Sequence, residues 1–324
     1  MSTPRDSVRP LTLAFVMDPV EAEPMKGSTT IVLMREAQAR GHRVLYVDPA
    51  DLVVDRGRVR AQAVPIELDL GSDQPVRRGE ARVWDFDEEI DVCFQRKDPP
   101  VDRDFIVATQ ILDVCRRTIV LNRPTSVIAF NEKLLAVQFA DLMPATLVTR
   151  RIADLRAFMV EQGGQMIVKP LDGKGGEGIF HVVEHDRNLS SILEQSTAFG
   201  RRAVMAQQYL PAVRQGDKRI LLLEGEPIGA VLRVPADAES RANLHVGGVA
   251  ARAPLDEADR RIVARVGPFL KEHGLFFVGI DVIGGFLTEV NVTSPTGVQE
   301  INALEGAKLE ALVIDRVEAL VARR

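Results

Sequence analysis

The sequence predicts an α/β fold in which a parallel sheet comes first and two smaller mixed α+β units follow it. Short apolar runs alternate with amphipathic stretches through the first third of the chain, which is typical of strands joined by crossover helices. From Asn131 onward, short strands and helices surround a glycine-rich loop. The 324 residues, 46% of them hydrophobic, are enough for more than one core. We expect an N-terminal domain over residues 1–131 and further units over 132–207 and 208–324.

In the first unit, residues 11–17 form a predicted buried strand, and a helix over 28–40 follows a loop. Ser28 is a good N-cap for that helix, and Gly41 a good terminator. Further strands are expected at 44–47, 90–94 and 118–121, with a helix at 102–116 and edge strands plus loops within 55–87. Ligands of such sheets bind beyond the carboxyl ends of the strands, where Asp18, Lys97 and Asp98 fall.

The remaining two thirds alternate shorter elements. Strands are predicted at 145–149, 166–169, 179–183, 203–207, 218–223, 227–234, 276–283 and 286–292, and helices at 133–141, 152–162, 189–195, 256–273 and 303–321.

The composition argues against several classes of binding partner and location. The net charge of −5 argues against nucleic-acid or anionic-membrane partners, which select for basic surfaces. The chain has no run near the ~20 apolar residues of a membrane span and no apolar leader at its start, so we expect a cytoplasmic protein. Cys93 and Cys115 form no C-x-x-C motif, and we expect both to be small apolar residues of a reduced protein.

A glycine loop carries the first functional signal. Gly173, Gly175 and Gly178 match the dinucleotide fingerprint, but the apolar, β-branched residues 179–183 predict a strand rather than the required helix. Lys174 is followed by Gly175 instead of Ser or Thr, which excludes a Walker A loop. A glycine-rich tip between two strands suits a mobile lid whose N–H groups cover phosphates; the alternative is a merely flexible turn. Lys133 and Lys169 would supply the positive charge that phosphates require.

A carboxylate strand carries the second signal. Glu289 and Asn291 are two residues apart, so their side chains share one face of a strand. Oxygen ligands of this kind suit Mg²⁺; the alternative is a structural salt bridge. Asp281 lies on the preceding strand, before the Gly284-Gly285 turn. A regular two-residue turn would pair Asp281 with Thr288 and turn it away from Glu289. The two carboxylates converge only with a bulge or an odd loop.

In this order, the motifs resemble those of the bacterial glutathione synthetase family of the ATP-grasp superfamily. The resemblance extends over nearly the whole chain, from about Leu11 to the C-terminal helix. It rests on Met17-Asp18-Pro19, Arg96-Lys97-Asp98-Pro99-Pro100, Asn131-Glu132-Lys133-Leu134, Lys169-Pro170-Leu171-Asp172-Gly173, Gln215-Gly216-Asp217-Lys218-Arg219, Val278-Gly279-Ile280-Asp281 and residues 288–295.

The resemblance implies a pre-ATP-grasp domain followed by a two-lobed ATP-grasp fold. It also implies ATP-dependent ligation of glycine to γ-glutamylcysteine through an acyl phosphate, with Mg²⁺ or Mn²⁺. Arg219, Arg233 and Lys169 would be catalytic; for either arginine the alternative is a structural ion pair. The nucleotide would bind Lys133, Lys169, Asp172, Gly173, Gly175, Gly176, Gly178, Gln207, Gln208, Tyr209, Leu210 and Asp217. The metal would bind Asp281, Glu289 and Asn291, and the other substrates Asp18, Lys97, Asp98, Asn243, Gly247, Gly248, Ser294, Pro295, Thr296 and Gly297. A homotetramer or dimer is also implied.

Two departures from the family pattern bear on the substrates. Gln299 stands where many members have arginine, and His245 lies in a loop where the family often has alanine. Two alternative functions therefore remain. One is a ligase that acts on another γ-glutamyl or peptide substrate. The other is a non-catalytic nucleotide-binding protein, although the full set of charged residues argues against it.

Overall fold

The computed structural model describes residues 9–173, 175–235 and 248–324. The chain divides into two compact units. One comprises Met1–Ala129, Leu270–Val278 and Val292–Arg324, and the other comprises Phe130–Phe269 and Gly279–Asn291. We call them the first and the second unit and describe each by itself.

The strands, in chain order, are β1 (Thr12–Val16), β2 (Arg43–Asp55), β3 (Arg58–Leu68), β4 (Val76–Arg78), β5 (Arg82–Asp85), β6 (Val92–Gln95), β7 (Ile119–Leu121), β8 (Thr146–Thr149), β9 (Gln165–Pro170), β10 (Phe180–Val183), β11 (Val204–Gln207), β12 (Asp217–Leu223), β13 (Glu226–Val234), β14 (Val249–Arg252), β15 (Phe277–Ile283) and β16 (Phe286–Asn291). The helices are α1 (Thr29–Ala39), α2 (Phe86–Glu89), α3 (Arg103–Leu112), α4 (Pro124–Ala129), α5 (Glu132–Val137), α6 (Ile152–Glu161), α7 (Leu189–Ser196), α8 (Glu257–Glu272), α9 (Val298–Glu305) and α10 (Leu309–Ala322).

The first unit is built on a sheet of order β4-β3-β2-β1-β6-β7, with β5 also paired to β3. The central pairs β1–β2, β1–β6 and β6–β7 are parallel, as predicted, and the β3 pairs are antiparallel. Ser28 caps α1 by accepting a hydrogen bond from the Ile31 N–H. Apolar residues of β1, β2 and α3 share one core with Trp84 and Phe86. The carboxyl ends of β1 and β6 therefore meet at one edge of the sheet.

The second unit holds two antiparallel sheets. The smaller has the order β10-β9-β11-β8, and apolar residues of α6 and α7 pack with Met166, Val168 and Val182 on one of its faces. The larger has the order β14-β13-β12-β15-β16. Because side chains alternate along a strand, Lys169 of β9 lies on the face of the smaller sheet away from those helices. The structure confirms the predicted α/β and α+β class.

The helices expected at 102–116 and 133–141 end earlier, at Leu112 and Val137, and two other differences from the prediction have a backbone cause. The single helix expected over residues 303–321 is two helices, because Gly306 adopts a left-handed conformation (φ 68°) that ends α9. The strand expected at 44–47 continues to Asp55, since an irregularity between Val47 and Leu52 lets β2 keep pairing with β3. The division into three consecutive domains stays a prediction.

In the part of the chain that the structure describes, every helix is too short or too polar to cross a membrane.

Candidate functional site

The glycine loop connects β9 and β10, which pair as an antiparallel hairpin. This confirms that a strand follows the loop. A Cβ atom on Gly173 would lie 2.8 Å from Cγ of Pro170, and one on Gly178 would lie 3.2 Å from the same atom. Gly178 also has a positive φ of 69°. Both positions therefore demand glycine, for space at Gly173 and for space and backbone conformation at Gly178.

Two buried lysines lie beside this loop. The Nζ atom of Lys133 donates to the carbonyl of Gly173 at 2.7 Å and lies 3.2 Å from Oε1 of Glu289. Lys169 Nζ donates to the carbonyl of Thr288 at 3.3 Å. Burial, reinforced by the charge of Lys133 and opposed by that of Glu289, lowers the pKa of Lys169 to about 8. Two ammonium groups in one buried place favour an anionic ligand.

The β15–β16 hairpin contains the bulge on which the position of Asp281 depends. The Gly284-Gly285 turn pairs Ile283 with Phe286 and Val282 with Leu287, but Asp281 then pairs with Glu289. Thr288 is the extra residue, and its carbonyl is the one that accepts from Lys169. Asp281, Glu289 and Asn291 consequently share one face of the hairpin.

Asp281 belongs to a buried group of four charges, together with Arg219, Arg233 and Asp217. Arg219 holds it with two hydrogen bonds, Nε to Oδ1 at 2.5 Å and Nη2 to Oδ2 at 2.9 Å. Arg233 Nη2 lies 3.0 Å from Oδ2 of Asp281 and 2.5 Å from Oδ2 of Asp217. Both arginines therefore take part in ion pairs, which was the alternative to a catalytic role. The ion pairs do not exclude that role, because one guanidinium has several donors.

The two aspartates have opposite pKa shifts. Burial raises the pKa of Asp217 to about 6 against the opposing charge of Arg233. Burial would also raise the pKa of Asp281, but Arg219 and Arg233 together hold it well below its usual range. Among the described residues, Oδ1 of Asp217 and Nε of Arg233 are buried without a hydrogen-bond partner. Such atoms are costly unless a ligand or water satisfies them.

The predicted metal ligands fit a hard cation by their chemistry. The Asn291 amide donates through Nδ2 to Asp281 Oδ2 at 3.3 Å and to the Gly279 carbonyl, also at 3.3 Å. These bonds leave its Oδ1, like Oε2 of Glu289, without a protein partner in the described chain. Oxygens of this type are the ligands that Mg²⁺ prefers. Among the described residues, no group of three or more His, Cys, Asp or Glu side chains is placed to hold a metal, and the predicted set combines two carboxylates with one amide.

The predicted hinge, residues 207–210, follows β11. Gln207 Nε2 donates to Thr146 Oγ1 at 3.0 Å, and the Gln208 N–H donates to the Ala145 carbonyl at 2.9 Å. Within the described chain, the Gln208 carbonyl and the Leu210 N–H make no hydrogen bond. Tyr209 stacks on the ring of His181, with centroids 4.0 Å apart and planes 10° apart.

The first unit holds its own polar cluster at the carboxyl ends of β1 and β6. Lys97 Nζ lies 2.7 Å from Oδ1 of Asp18, and the Asp98 N–H donates to Oδ2 of Asp18 at 3.1 Å. Ser294 Oγ donates to Oδ1 of Asp98 at 2.7 Å. Pro295, Thr296 and Gly297 continue from Ser294 into α9, so the structure brings these predicted substrate residues together.

Of the two departures from the family pattern, Gln299 lies within the described residues and His245 lies outside them. Nε2 of Gln299 donates to the Ser28 carbonyl at 2.7 Å and to the Met25 carbonyl at 3.3 Å. It therefore ties α9 to the segment before α1. Asn243, His245 and Gly247 lie outside the described residues, whereas Gly248 lies directly before β14.

Two residues near these clusters escaped the sequence assignment. Arg96 is buried, and it donates to Thr30 Oγ1 at 3.1 Å and to the Pro295 carbonyl at 3.0 Å. The sequence feature that could have indicated Arg96 is its position as a charged residue directly after the apolar strand β6. His181 contacts Tyr209, a pairing between residues 28 positions apart that no local pattern indicates.

Comparison with solved structures identifies the fold. A D-cycloserine synthetase superposes with a TM-score of 0.64 at 17% identity, covering 96% of this chain and 99% of the other. A RimK-domain ATP-grasp protein of Sphaerobacter thermophilus gives 0.61 at 17% identity, covering 94% and 98%. Both likenesses show that the chain has the ATP-grasp fold.

Sequence comparison identifies the family. Residues 11–127 match the N-terminal domain of prokaryotic glutathione synthetase, and residues 132–306 match its ATP-grasp domain. A glutathione synthetase of Gloeobacter violaceus is 46% identical over 312 residues, covering 94% of this chain and 96% of the relative. One of Salmonella typhimurium is 44% identical, covering 97% and 100%. The chain belongs to the prokaryotic glutathione synthetase family.

Proposed function

We propose that this chain catalyses the ATP-dependent ligation of glycine to γ-glutamylcysteine, giving glutathione, ADP and phosphate. The observation that carries the proposal is the second unit's charge cluster, where two buried lysines beside the glycine loop lie next to the Asp281–Glu289–Asn291 face. The family relationship supplies the substrates. We further propose the division into domains 1–131, 132–207 and 208–324, a cytoplasmic location and assembly into a homotetramer or dimer.

In this proposal, residues of the second unit bind the nucleotide. The loop Asp172, Gly173, Gly175, Gly176 and Gly178 covers the phosphates, while Lys133 and Lys169 neutralise their charge. The hinge receives the adenine through the Gln208 carbonyl and the Leu210 N–H. The first is a hydrogen-bond acceptor and the second a donor, and this pair supports the assignment of the hinge. Asp217 belongs to this site through its ion pair with Arg233.

Glu289, Asn291 and Asp281 would hold Mg²⁺, or Mn²⁺ in its place. When bound, the cation screens the phosphate charge and favours transfer of the terminal phosphoryl group. Arg233 and Arg219 stabilise the negative charge that develops during phosphoryl transfer to the cysteinyl carboxylate. Asp18, Lys97, Asp98, the 294–297 segment, Asn243, Gly247 and Gly248 would bind the two other substrates.

The direct test is product identification. The purified chain, given ATP, MgCl₂, γ-glutamylcysteine and glycine, should form glutathione, identified by mass spectrometry, with one ADP per product. Omitting glycine should remove the product, and substituting Gln for Glu289 should reduce the rate of its formation strongly. ATP turnover without glutathione would refute the proposed substrates.

A second candidate is ligation of a different γ-glutamyl or peptide carboxylate to another amine. Gln299 supports it, since its amide is engaged with two backbone carbonyls and carries no charge for a substrate carboxylate. A panel of amino acids tested beside glycine would reveal this activity as a larger kcat/KM for another acceptor.

A further inference from the structure

The bulge of the β15–β16 hairpin has a register that apolar packing explains. In this register Ile280 lies opposite Val290, and both side chains are fully buried. A regular hairpin with the same turn would place Ile280 opposite Glu289, and directly opposed side chains share one face of a sheet. A carboxylate would then lie on the apolar face. The pair Ile280–Val290 therefore selects the bulged register, but it does not hold the extra residue, Thr288, in place.

Thr288 is held by two hydrogen bonds to two different strands. The extra residue of a bulge is left out of the regular ladder, so its polar groups need other partners. The Thr288 carbonyl accepts from Nζ of Lys169 on β9 at 3.3 Å, and the Thr288 hydroxyl donates to the carbonyl of Asp281 on β15 at 3.1 Å. Thr288 is only 7% exposed, so little water competes for these bonds.

Both bonds lie next to groups that the proposed function uses. The Thr288 carbonyl belongs to the same peptide as the nitrogen of Glu289, and Asp281 lies opposite Glu289. The hydroxyl bond therefore fixes the spacing of the two main-chain segments that carry these carboxylates. Groups that orient a metal ligand from behind change the affinity for the metal by about 10- to 100-fold when they are removed.

We propose that Thr288 is a positioning residue for the metal site: its hydroxyl, bonded to the Asp281 carbonyl, fixes the bulge and with it the place of the Glu289 carboxylate opposite Asp281. Thr288 itself binds neither the nucleotide nor the cation. It acts through Glu289 and, by its carbonyl, through Lys169. The inference rests on the proposed ligase function and its Mg²⁺ site.

Thr288→Val tests the inference, because valine has nearly the shape of threonine and lacks the hydroxyl. The measurement is the Kd of ADP by isothermal titration calorimetry, once with EDTA and once with MgCl₂. The ratio of the first constant to the second reports how strongly the metal tightens nucleotide binding. We expect this ratio to fall by about tenfold in Thr288→Val, whereas Thr288→Ser, which keeps the hydroxyl, should stay within about threefold of the unsubstituted enzyme. A variant that merely binds ADP more weakly changes both constants alike and leaves the ratio unchanged.

Thr118→Val is the matched control. The Thr118 hydroxyl donates to the Ile90 carbonyl, also at 3.1 Å, and Thr118 is 4% exposed in the first unit. The control therefore loses the same kind of buried hydrogen bond away from the proposed metal ligands. It should keep the ratio of the unsubstituted enzyme, while thermal unfolding followed by circular dichroism measures the cost in stability for both valine variants.

Four results would overturn the inference. They are an unchanged ratio in Thr288→Val, an equal loss in Thr288→Ser, an equal loss in Thr118→Val, and failure of Thr288→Val to fold while Thr118→Val folds. In the last case the hydroxyl serves the fold. The unsubstituted enzyme separates these results from failure of the proposed function: if Mg²⁺ does not tighten its binding of ADP, the proposed metal site fails before any variant is compared.

Discussion

Asp281 lies opposite Glu289 across the β15–β16 hairpin, because Thr288 is an extra residue that shifts the pairing by one position. The same bulge presents the Thr288 carbonyl to the buried ammonium group of Lys169. One irregular residue therefore sets two features of the site, the convergence of the carboxylates and the position of a cation beside them.

Glu289→Gln should slow ligation strongly while leaving the fold intact. The substitution removes the charge that faces the proposed cation and the counter-charge of Lys133, 3.2 Å away. We expect the rate to fall on the order of 100-fold, because a charge that stabilises the transition state is lost. Initial rates across a MgCl₂ titration measure the effect, and half-saturation should require more metal.

Glu226→Gln is the control, since Glu226 is an exposed carboxylate at the start of β13. Its rate and metal requirement should match those of the unsubstituted enzyme. A Glu289→Gln variant with full activity would exclude Glu289 as a metal ligand.

Asp281→Asn should destabilise the protein strongly. It leaves Arg219 and Arg233 buried with less counter-charge, and breaking a buried ion pair costs about 3–5 kcal/mol. Because the folded pKa of Asp281 lies below its unfolded value, its contribution is fully present above about pH 4, the unfolded pKa. The contribution is lost as the pH falls further, through the folded pKa. Urea unfolding of both proteins should give a difference in the free energy of unfolding that shrinks as the pH falls below about 4.

Asp141→Asn provides the comparison at the surface. Asp141 pairs with Arg265 at 3.0 Å, and both side chains are more than half exposed, so the loss should stay below about 1 kcal/mol. A difference for Asp281→Asn that grows as the pH falls below about 4 would contradict the assigned direction of the pKa shift of Asp281.

ATP binding should weaken in alkaline solution, because Lys169 loses its positive charge there. Its pKa of about 8 means that the ammonium form, which binds phosphates, predominates below that pH and is lost above it. Since kcat/KM reports the free enzyme, kcat/KM for ATP should fall about tenfold per unit well above pH 8. The kcat at saturating ATP should stay level to higher pH, because bound phosphates favour the charged lysine.

Lys169→Arg gives the matched control, since a guanidinium does not titrate in this range. Its kcat/KM, whatever its absolute value, should show no decline near pH 8. A profile of the unsubstituted enzyme that is flat to pH 9.5 would refute the assignment.

The sequence alone predicts the parts of this site that depend on local pattern. Alternation places Glu289 and Asn291 on one face, and the apolar residues after Gly178 predict a hairpin in place of a Rossmann turn. The ion pairs of Arg219 and Arg233 depend instead on β12 lying between β13 and β15, which no local pattern specifies. The bulge at Thr288 is equally hidden, because glycines at a turn permit a register shift without requiring it.

His181 should contribute to ATP binding through its stack on the hinge residue Tyr209. The rings are nearly parallel, with centroids 4.0 Å apart. Such a contact is worth about 0.5–1.5 kcal/mol, so His181→Ala should raise the KM for ATP by about two- to tenfold with little change in kcat. Steady-state kinetics with varied ATP at saturating γ-glutamylcysteine and glycine measure both constants.

Two further variants separate stacking from a general effect on the smaller sheet. His181→Phe keeps an aromatic ring against Tyr209 and should retain most of the affinity for ATP. His185→Ala removes an exposed histidine shortly after β10 and should change neither constant. Two results would show that this stack does not position Tyr209 for nucleotide binding. In one, His181→Phe does not restore the KM for ATP; in the other, His181→Ala lowers kcat and leaves the KM for ATP unchanged.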